Sequence, residues 1–157
     1  MGYDFYEGAI DVTNMINSCS PDAIYTTTNA TPDRNKGDNW NNTSPQNNRW
    51  FKFTAPATGE ISITIDRGES KGTQRYTQLA LWQVDGETEI QSGRYTNYDD
   101  DVTIGVLNLI PGATYYISVD TRATYYSGTF TLCLEDIYGL SNYGPGGVRQ
   151  DLRLWLR

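Results

Sequence analysis

Alternation of apolar and polar residues in short segments most strongly constrains the fold of this chain. Ile61, Ile63 and Ile65 alternate with polar residues, and residues 129–135 repeat the pattern. Successive side chains of a β-strand point to opposite faces, so this pattern predicts strands with one buried face and one polar face. Turn sequences separate the segments, and the Asp-Gly pair at 85–86 is typical of a tight hairpin.

The number and spacing of these segments indicate the architecture. About eight of them follow one another, and no stretch longer than a turn or two has the period of an α-helix. We therefore predict an all-β fold, a jelly-roll-like antiparallel β-sandwich of about eight short strands. Residues 31–48 differ, because they are polar and rich in asparagine. We expect them to form an exposed loop, and loops of this length are often functional.

Charge and composition argue against several classes of function. The formal net charge is -7, and an acidic chain is repelled by phosphates, so we predict no binding to nucleic acid. The chain has no histidine, which removes the commonest general base and the commonest zinc ligand. It has no apolar run long enough to span a bilayer, so we predict no membrane insertion. The first ten residues also lack the features of a signal peptide.

The chain has two cysteines, Cys19 and Cys133, which lie far apart in the sequence. Their spacing matches no metal-binding pattern. Two interpretations are open at this point: both are free thiols in the core, or they form one disulfide that closes nearly the whole domain.

Acidic residues supply two candidate chemistries. Asp99, Asp100 and Asp101 lie just before a predicted strand, and carboxylates that converge on a loop could bind calcium. The alternative is a solvated turn, because successive residues of an extended segment point to opposite faces. Paired acids could also catalyse glycoside hydrolysis, but the spacing of the available acids singles out no pair. These acids include Glu60, Asp66, Glu69, Glu87, Glu89 and Asp120. We therefore predict no catalytic residues.

Aromatic residues supply a candidate site for sugars. Tyrosine and tryptophan are amphipathic rings, which suits them to the faces of carbohydrates. The candidates are Tyr95, Tyr98, Tyr125, Tyr126, Trp40 and Trp50. Alternatively, Trp50 and one tyrosine of each pair belong to the core. We select Trp40, Tyr95 and Tyr98 as ligand-binding residues, and we expect Trp40 to be exposed because it lies in the polar loop.

Three segments resemble the pre-peptidase C-terminal-like β-sandwich modules. They are "NRWFKFTAPATGEISITI", "LALWQVDGETEI" and "LIPGATYYISVDTRATYYSGTFTLCLED". The resemblance covers about residues 8–136, and the order and spacing of the segments make it fairly specific. Some of these modules bind calcium through an aspartate that corresponds to Tyr76 here, which weakens the calcium interpretation. The resemblance also favours a Cys19–Cys133 disulfide, because both residues lie where the first and last strands could be neighbours.

A closer resemblance is to the tandem modules in giant cell-surface adhesins of gliding Bacteroidota. The segments "YDFYEGAI", "AIYTTTNATPD", "NRWFKFTA" and "GTFTLCLED" carry it. It implies an extracellular, cell-surface protein that is exported by type IX secretion and acts in adhesion and gliding motility. Its expected partners are neighbouring domains of the same chain and polysaccharide or solid surfaces, and we expect the module to be a monomer.

The end of the sequence resembles a different kind of domain. The segment "PGGVRQDLRLWLR" is similar to the first strand of laminin-G or concanavalin-like modules. We therefore expect residues 1–138 to form the β-sandwich module and residues 139–157 to be a linker and the first strand of a following domain. Alternatively, Leu152, Leu154 and Leu156 complete the sheet of this domain or pair with the edge of another molecule.

These observations favour a non-catalytic module of a secreted surface adhesin, acting as a spacer or contacting surfaces or polysaccharide. The alternative is a carbohydrate-binding accessory module of a secreted hydrolase. An independent enzyme fits least well, because the sequence offers neither a histidine nor a convincing acid pair. We predict no cofactor, with calcium at Asp99, Asp100 and Asp101 as the open alternative.

Overall fold

The computed structural model describes residues 2–137. Within this range the chain forms ten β-strands and five short 3-10 turns. The strands are β1 (Ile10–Asp11), β2 (Ser18–Cys19), β3 (Tyr25–Thr26), β4 (Arg49–Thr54), β5 (Ile61–Asp66), β6 (Thr77–Trp82), β7 (Glu89–Arg94), β8 (Val102–Val106), β9 (Thr114–Thr121) and β10 (Thr129–Glu135). The 3-10 turns are Gly2–Asp4, Tyr6–Gly8, Thr13–Met15, Glu69–Lys71 and Thr124–Tyr126. The predicted all-β class is confirmed.

Nine of the ten strands in residues 2–137 form two sheets that pack face to face, and β2 lies outside both sheets. One sheet has the strand order β1-β4-β9-β6-β7, and the other has the order β3-β10-β5-β8. The pairs within these sheets are antiparallel except for β1 with β4, which is parallel. The predicted hairpin at 85–86 joins β6 to β7, and Gly86 has a φ of 67°, a conformation that favours glycine. The sequence pattern therefore predicted this turn correctly.

The main core lies between the sheets and follows the predicted alternation. Ile61, Ile63 and Ile65 are fully buried, and they face Phe51 and Ile117 of the other sheet. Burying one such side chain stabilises a fold by about 1.5–3 kcal/mol. Alternation on β5 therefore sets which face of its sheet is inside.

A second, smaller apolar cluster lies on the outer face of the five-stranded sheet. Trp40, Trp50, Ala80 and Trp82 form it, and all four are buried. Residues 31–48 lie across this face and cover it, so the expectation of a fully exposed polar loop is wrong. Every residue of β6 is buried for the same reason, since that strand has neighbours on both faces.

A disulfide joins Cys19 on β2 to Cys133 on β10. The pair is 114 residues apart in sequence, so the bridge closes most of the domain. Main-chain hydrogen bonds run beside it, from Ser20 N to Leu132 O at 2.8 Å and from Asn17 N to Leu134 O at 2.7 Å. The disulfide interpretation of the sequence is confirmed.

The loops gather at two ends of the sandwich. Loops 67–76, 95–101 and 122–128 meet at one end, and loops 55–60, 83–88 and 107–113 meet at the other. The predicted linker and following strand at 139–157 lie outside the described residues. Among residues 2–137, no helix is long and apolar enough to cross a membrane.

Candidate functional site

Five tyrosines converge at the end formed by loops 67–76, 95–101 and 122–128. Tyr76 lies at the centre, with its ring centroid 4.5 Å from Tyr126, 4.8 Å from Tyr95 and 6.3 Å from Tyr98. Tyr125 packs on Tyr126 at 5.3 Å. We call these five residues the tyrosine surface. It joins residues that are up to 50 positions apart in sequence (76 to 126).

Main-chain hydrogen bonds lock the three loops together beneath the rings. The N–H of Tyr76 donates to Tyr98 O at 2.9 Å, and the N–H of Arg122 donates to Tyr76 O at 3.1 Å. The N–H of Arg75 donates to Tyr126 O at 3.0 Å. Tyr76 has a φ of 51°, which is uncommon for a bulky residue. Such strained conformations persist where surrounding contacts hold them, and they are frequent at functional sites.

Exposure differs sharply among the candidate tyrosines, of which Tyr95 and Tyr98, but not Tyr125, were selected from the sequence. Tyr125 is 86% exposed and Tyr98 is 49% exposed, whereas Tyr95 is only 6% exposed. The Tyr95 hydroxyl accepts a hydrogen bond from the Asn41 side-chain amide at 2.8 Å. Tyr95 is therefore the buried member of the tyrosine surface and supports the Tyr76 ring, while Tyr98 and Tyr125 present their rings to solvent.

Trp40 is not exposed, and that expectation is wrong. Its side chain is 4% exposed and packs against Trp50 and Trp82. The indole N–H donates to the carbonyl oxygen of Leu79 at 3.0 Å. The polar sequence around Trp40 gave no sign of this, because the neighbouring polar groups bond to the sheet rather than to water. The Asn39 N–H, for example, donates to the Ser92 hydroxyl at 2.9 Å.

The three consecutive aspartates hold the loop between β7 and β8. Asp100 accepts hydrogen bonds from Thr96 N at 2.9 Å and Asn97 N at 2.6 Å. Asp101 accepts from Arg67 N at 2.8 Å, while the main-chain oxygen of Asp99 accepts from the Arg67 guanidinium at 3.3 Å. Within residues 2–137, no group of three or more acidic, histidine or cysteine side chains is placed to hold a metal ion. The structure thus gives Asp100 and Asp101 a role in loop structure.

Asp120 is the most perturbed acid that the structure describes. It is fully buried under residues 42–47, and this burial raises its pKa to about 6. Hydrogen bonds oppose the shift, from Asn47 N at 2.8 Å, Gln46 N at 3.2 Å and the Asn42 amide at 3.4 Å. Perturbed acids often mark catalytic sites. Here the donors that surround the carboxylate belong to the covering loop, which indicates a structural role.

Asp120 is expected to make stability depend on pH in a defined window. Its pKa is higher in the folded state than the usual aspartate value of 3.8, so the folded chain binds the proton more tightly. The stabilisation is therefore full below pH 3.8 and is lost as the pH rises through about 6, a change of about 3 kcal/mol. Urea unfolding from pH 4 to 7 measures it. Asp120→Asn is expected to remove this fall, and parallel profiles for the two proteins would contradict the assignment.

The pKa values of two other acids are shifted in the opposite direction, and these acids do not obscure the test. Hydrogen bonds from Thr13 lower the pKa of Asp11, and hydrogen bonds from Thr88 and Glu87 lower the pKa of Asp85. The stability that a lowered aspartate pKa contributes is lost only as the pH falls below the usual pKa of an aspartate. The comparison of Asp120→Asn with the unchanged chain cancels both contributions.

The sequence did not single out the central residue of the site or its charged neighbours. Arg75, Arg94 and Arg122 lie over the rings of Tyr98, Tyr95 and Tyr76 at 5.5, 5.8 and 5.5 Å. The arginines fall in three different loops or strand ends, so no sequence spacing groups them. Tyr76 stood out in the sequence only as the residue at the position of a calcium-binding aspartate in the modules that the chain resembles, and not as part of an aromatic site.

Two shallow depressions border the tyrosine surface. One has a volume of about 360 Å³ and is lined by Thr73, Arg75, Tyr125, Tyr126 and Ser127. The other has a volume of about 410 Å³ and is lined by Asn39, Gly93, Arg94, Tyr95 and Thr96. Together they offer aromatic rings beside hydroxyl, amide and guanidinium groups, which is the mixture that orients a polar ligand on an apolar face.

An apolar groove of about 490 Å³ lies at the opposite end. Val84, Leu107 and Ile110 line it and are 59%, 55% and 68% exposed. The chain leaves β10 at this end, where the Thr58 hydroxyl donates to the Asp136 carboxylate at 2.8 Å. Contiguous exposed apolar residues often mark a contact with another protein surface.

Comparison with known proteins gives matches only among solved structures. No protein-family profile and no curated protein match this chain. This chain is similar to the CBM35 from Cellvibrio japonicus Abf62, with a sequence identity of 12% and a TM-score of 0.37. The match covers 70% of this chain and 83% of that chain. A family 35 carbohydrate-binding module from an environmental isolate is similar at 11% identity and a TM-score of 0.36, with the same coverage.

Proposed function

We propose that this domain is a non-catalytic extracellular module that contacts polysaccharide through the tyrosine surface. The observation that carries the proposal is the exposure of Tyr98 and Tyr125 in a cluster of rings, on loops that main-chain hydrogen bonds join. A rigid, exposed aromatic face binds without ordering flexible side chains first, so little entropy is lost on binding. The polar groups beside the rings supply hydrogen bonds for sugar hydroxyls.

The disulfide supports the extracellular part of the proposal. Disulfides persist in oxidising compartments and are rare in the cytosol. The non-catalytic part is tested by incubating the domain with a panel of polysaccharides and measuring released reducing ends. We expect none to be released. Release that is abolished by substituting a single carboxylate would contradict the proposal.

We further propose that the module belongs to a large surface adhesin of gliding bacteria. This placement rests on the resemblance of "YDFYEGAI", "NRWFKFTA" and "GTFTLCLED" to tandem adhesin modules. Adhesion, gliding motility, type IX secretion and attachment to the cell surface all follow from it. The alternative, an accessory module of a secreted hydrolase, shares the same sugar contact. The complete open reading frame separates the two, because one requires repeated modules and the other a catalytic domain.

The apolar groove at the opposite end fits a neighbouring domain of the same chain. We assign it to the following domain that the sequence predicts, because β10 ends at this end of the sandwich, where Thr58 contacts Asp136. The methyl NMR signals of Leu107 and Ile110 are expected to shift when the expressed chain includes that domain. Unchanged signals in the longer chain would contradict the assignment, and concentration-dependent shifts in the 157-residue chain would assign the groove to a second copy instead.

Replacing Tyr125 with alanine is expected to weaken polysaccharide binding by roughly three- to tenfold, the effect of losing one aromatic contact. The domain should remain folded, because Tyr125 is 86% exposed. Affinity electrophoresis in gels that contain a panel of polysaccharides measures the change. Phe5→Ala is the matched control, since Phe5 is 45% exposed and lies outside the tyrosine surface. Equal losses in both variants would contradict the proposed site.

A further inference from the structure

We propose that the tyrosine surface selects polysaccharides that carry anionic groups, carboxylate or sulfate, and that Arg75, Arg94 and Arg122 bind those groups. The inference rests on the proposed function, because it names the class of sugar that the same surface takes. It begins from three exposed arginines at one end of a chain whose formal net charge is -7.

Within residues 2–137, the guanidinium groups of Arg75, Arg94 and Arg122 have no carboxylate partner. Among residues 2–137, the arginines that form salt bridges are Arg34 and Arg49. In that same part of the chain, the side chains of Arg75, Arg94 and Arg122 make no ion pair within 4.0 Å. All three side chains are exposed, and each guanidinium carries five N–H donors that are available to an anionic ligand.

The tyrosine rings hold these guanidinium groups in place. Arg75 lies 5.5 Å from the Tyr98 ring centroid, and Arg122 lies 5.5 Å from that of Tyr76. A guanidinium over an aromatic face is attracted to the ring, yet it keeps its edge free for hydrogen bonds. Its planar fork matches the two oxygens of a carboxylate or sulfate. One sugar unit could therefore stack on a ring while its anionic group meets an arginine.

The three aspartates of the neighbouring loop, residues 99–101, differ in how strongly they are expected to oppose an anionic ligand. The carboxylates of Asp100 and Asp101 accept main-chain hydrogen bonds from Asn97 and Arg67. Asp99 is exposed in the same loop, so its charge is expected to oppose an anionic ligand. This predicts that Asp99→Asn binds anionic polysaccharide more tightly than the unchanged chain does.

The experiment measures binding of the 157-residue chain to dextran, dextran sulfate and polygalacturonate by affinity electrophoresis. We expect both anionic polymers to bind, dextran to bind more weakly, and added salt to reduce only the anionic binding. Arg75→Gln and Arg122→Gln are each expected to weaken anionic binding by about tenfold. Arg34→Gln is the matched control, because Arg34 also lies over a tyrosine ring but pairs with Glu7 and Glu87.

Each outcome has a distinct meaning. Binding to one anionic polymer alone supports the proposal and identifies carboxylate or sulfate as the group recognised. Equal binding to dextran and both anionic polymers, unaffected by Arg75→Gln but lost in Tyr125→Ala, would overturn this inference and leave the proposed function standing. Equal weakening in Arg34→Gln would also overturn it. If neither the three polymers nor any member of the wider polysaccharide panel binds, the proposed function itself is overturned.

Discussion

Trp40→Ala is expected to destabilise the domain by about 3–5 kcal/mol, the usual effect of removing a buried tryptophan. The side chain is 4% exposed and fills the space between the long loop and the outer face of the sheet. The substitution leaves a cavity beside Trp50 and Trp82, and it removes the indole donor that satisfies the Leu79 carbonyl. Urea unfolding followed by circular dichroism measures the loss.

This result separates a structural Trp40 from a ligand-binding one. Under the structural role, Trp40→Phe recovers part of the lost stability, because the phenyl ring refills most of the cavity. Tyr125→Ala is the control, since that ring is 86% exposed and its removal should change stability by less than about 0.5 kcal/mol. A Trp40→Ala protein that is as stable as the unchanged chain but cannot bind sugar would contradict the structural role.

Removing the Cys19–Cys133 disulfide is expected to destabilise the domain by about 4–5 kcal/mol in the chain-entropy model. The large effect follows from the 114-residue separation, since a long closed loop restricts the unfolded chain most strongly. In a domain of this size the melting temperature should fall by roughly 10–20 °C. Thermal unfolding with and without reductant measures the change.

The double variant Cys19→Ser, Cys133→Ser controls for the reductant. It should melt at the temperature of the reduced chain, and reductant should not lower that temperature further. An unchanged melting temperature after complete reduction, verified by thiol counting, would show that the hydrogen bonds from Asn17 and Ser20, which flank β2, hold the strand without the bridge.

The alternation on β5 and the turn residues were sufficient to predict the class of fold. Ile61, Ile63 and Ile65 are all fully buried, as their spacing indicated. This inference works because side-chain direction in a strand has a period of two, whatever the strand pairs with. The two-residue strands β1, β2 and β3 were less accessible to prediction, since so short a segment has no measurable period.

The outer face of the five-stranded sheet could not be predicted in the same way. Residues 31–48 are polar, and a polar segment of that length usually faces water. Here its polar groups bond to the sheet, so that Trp40 can be buried beneath them. Such hydrogen bonds join residues far apart in sequence, as Asn41 joins Gln78, and no local pattern records them.

Periodicity and composition are properties of the chain alone, so they were sufficient to predict the all-β class, the main core and the acidic charge. The sequence also provided the two cysteines, but only the fold brought Cys19 beside Cys133. The tertiary structure alone decided which aromatic rings are exposed, burying Trp40 and presenting Tyr125. It also assembled the tyrosine surface and its arginines, because three loops that are separated in sequence meet at one end only when both sheets have paired.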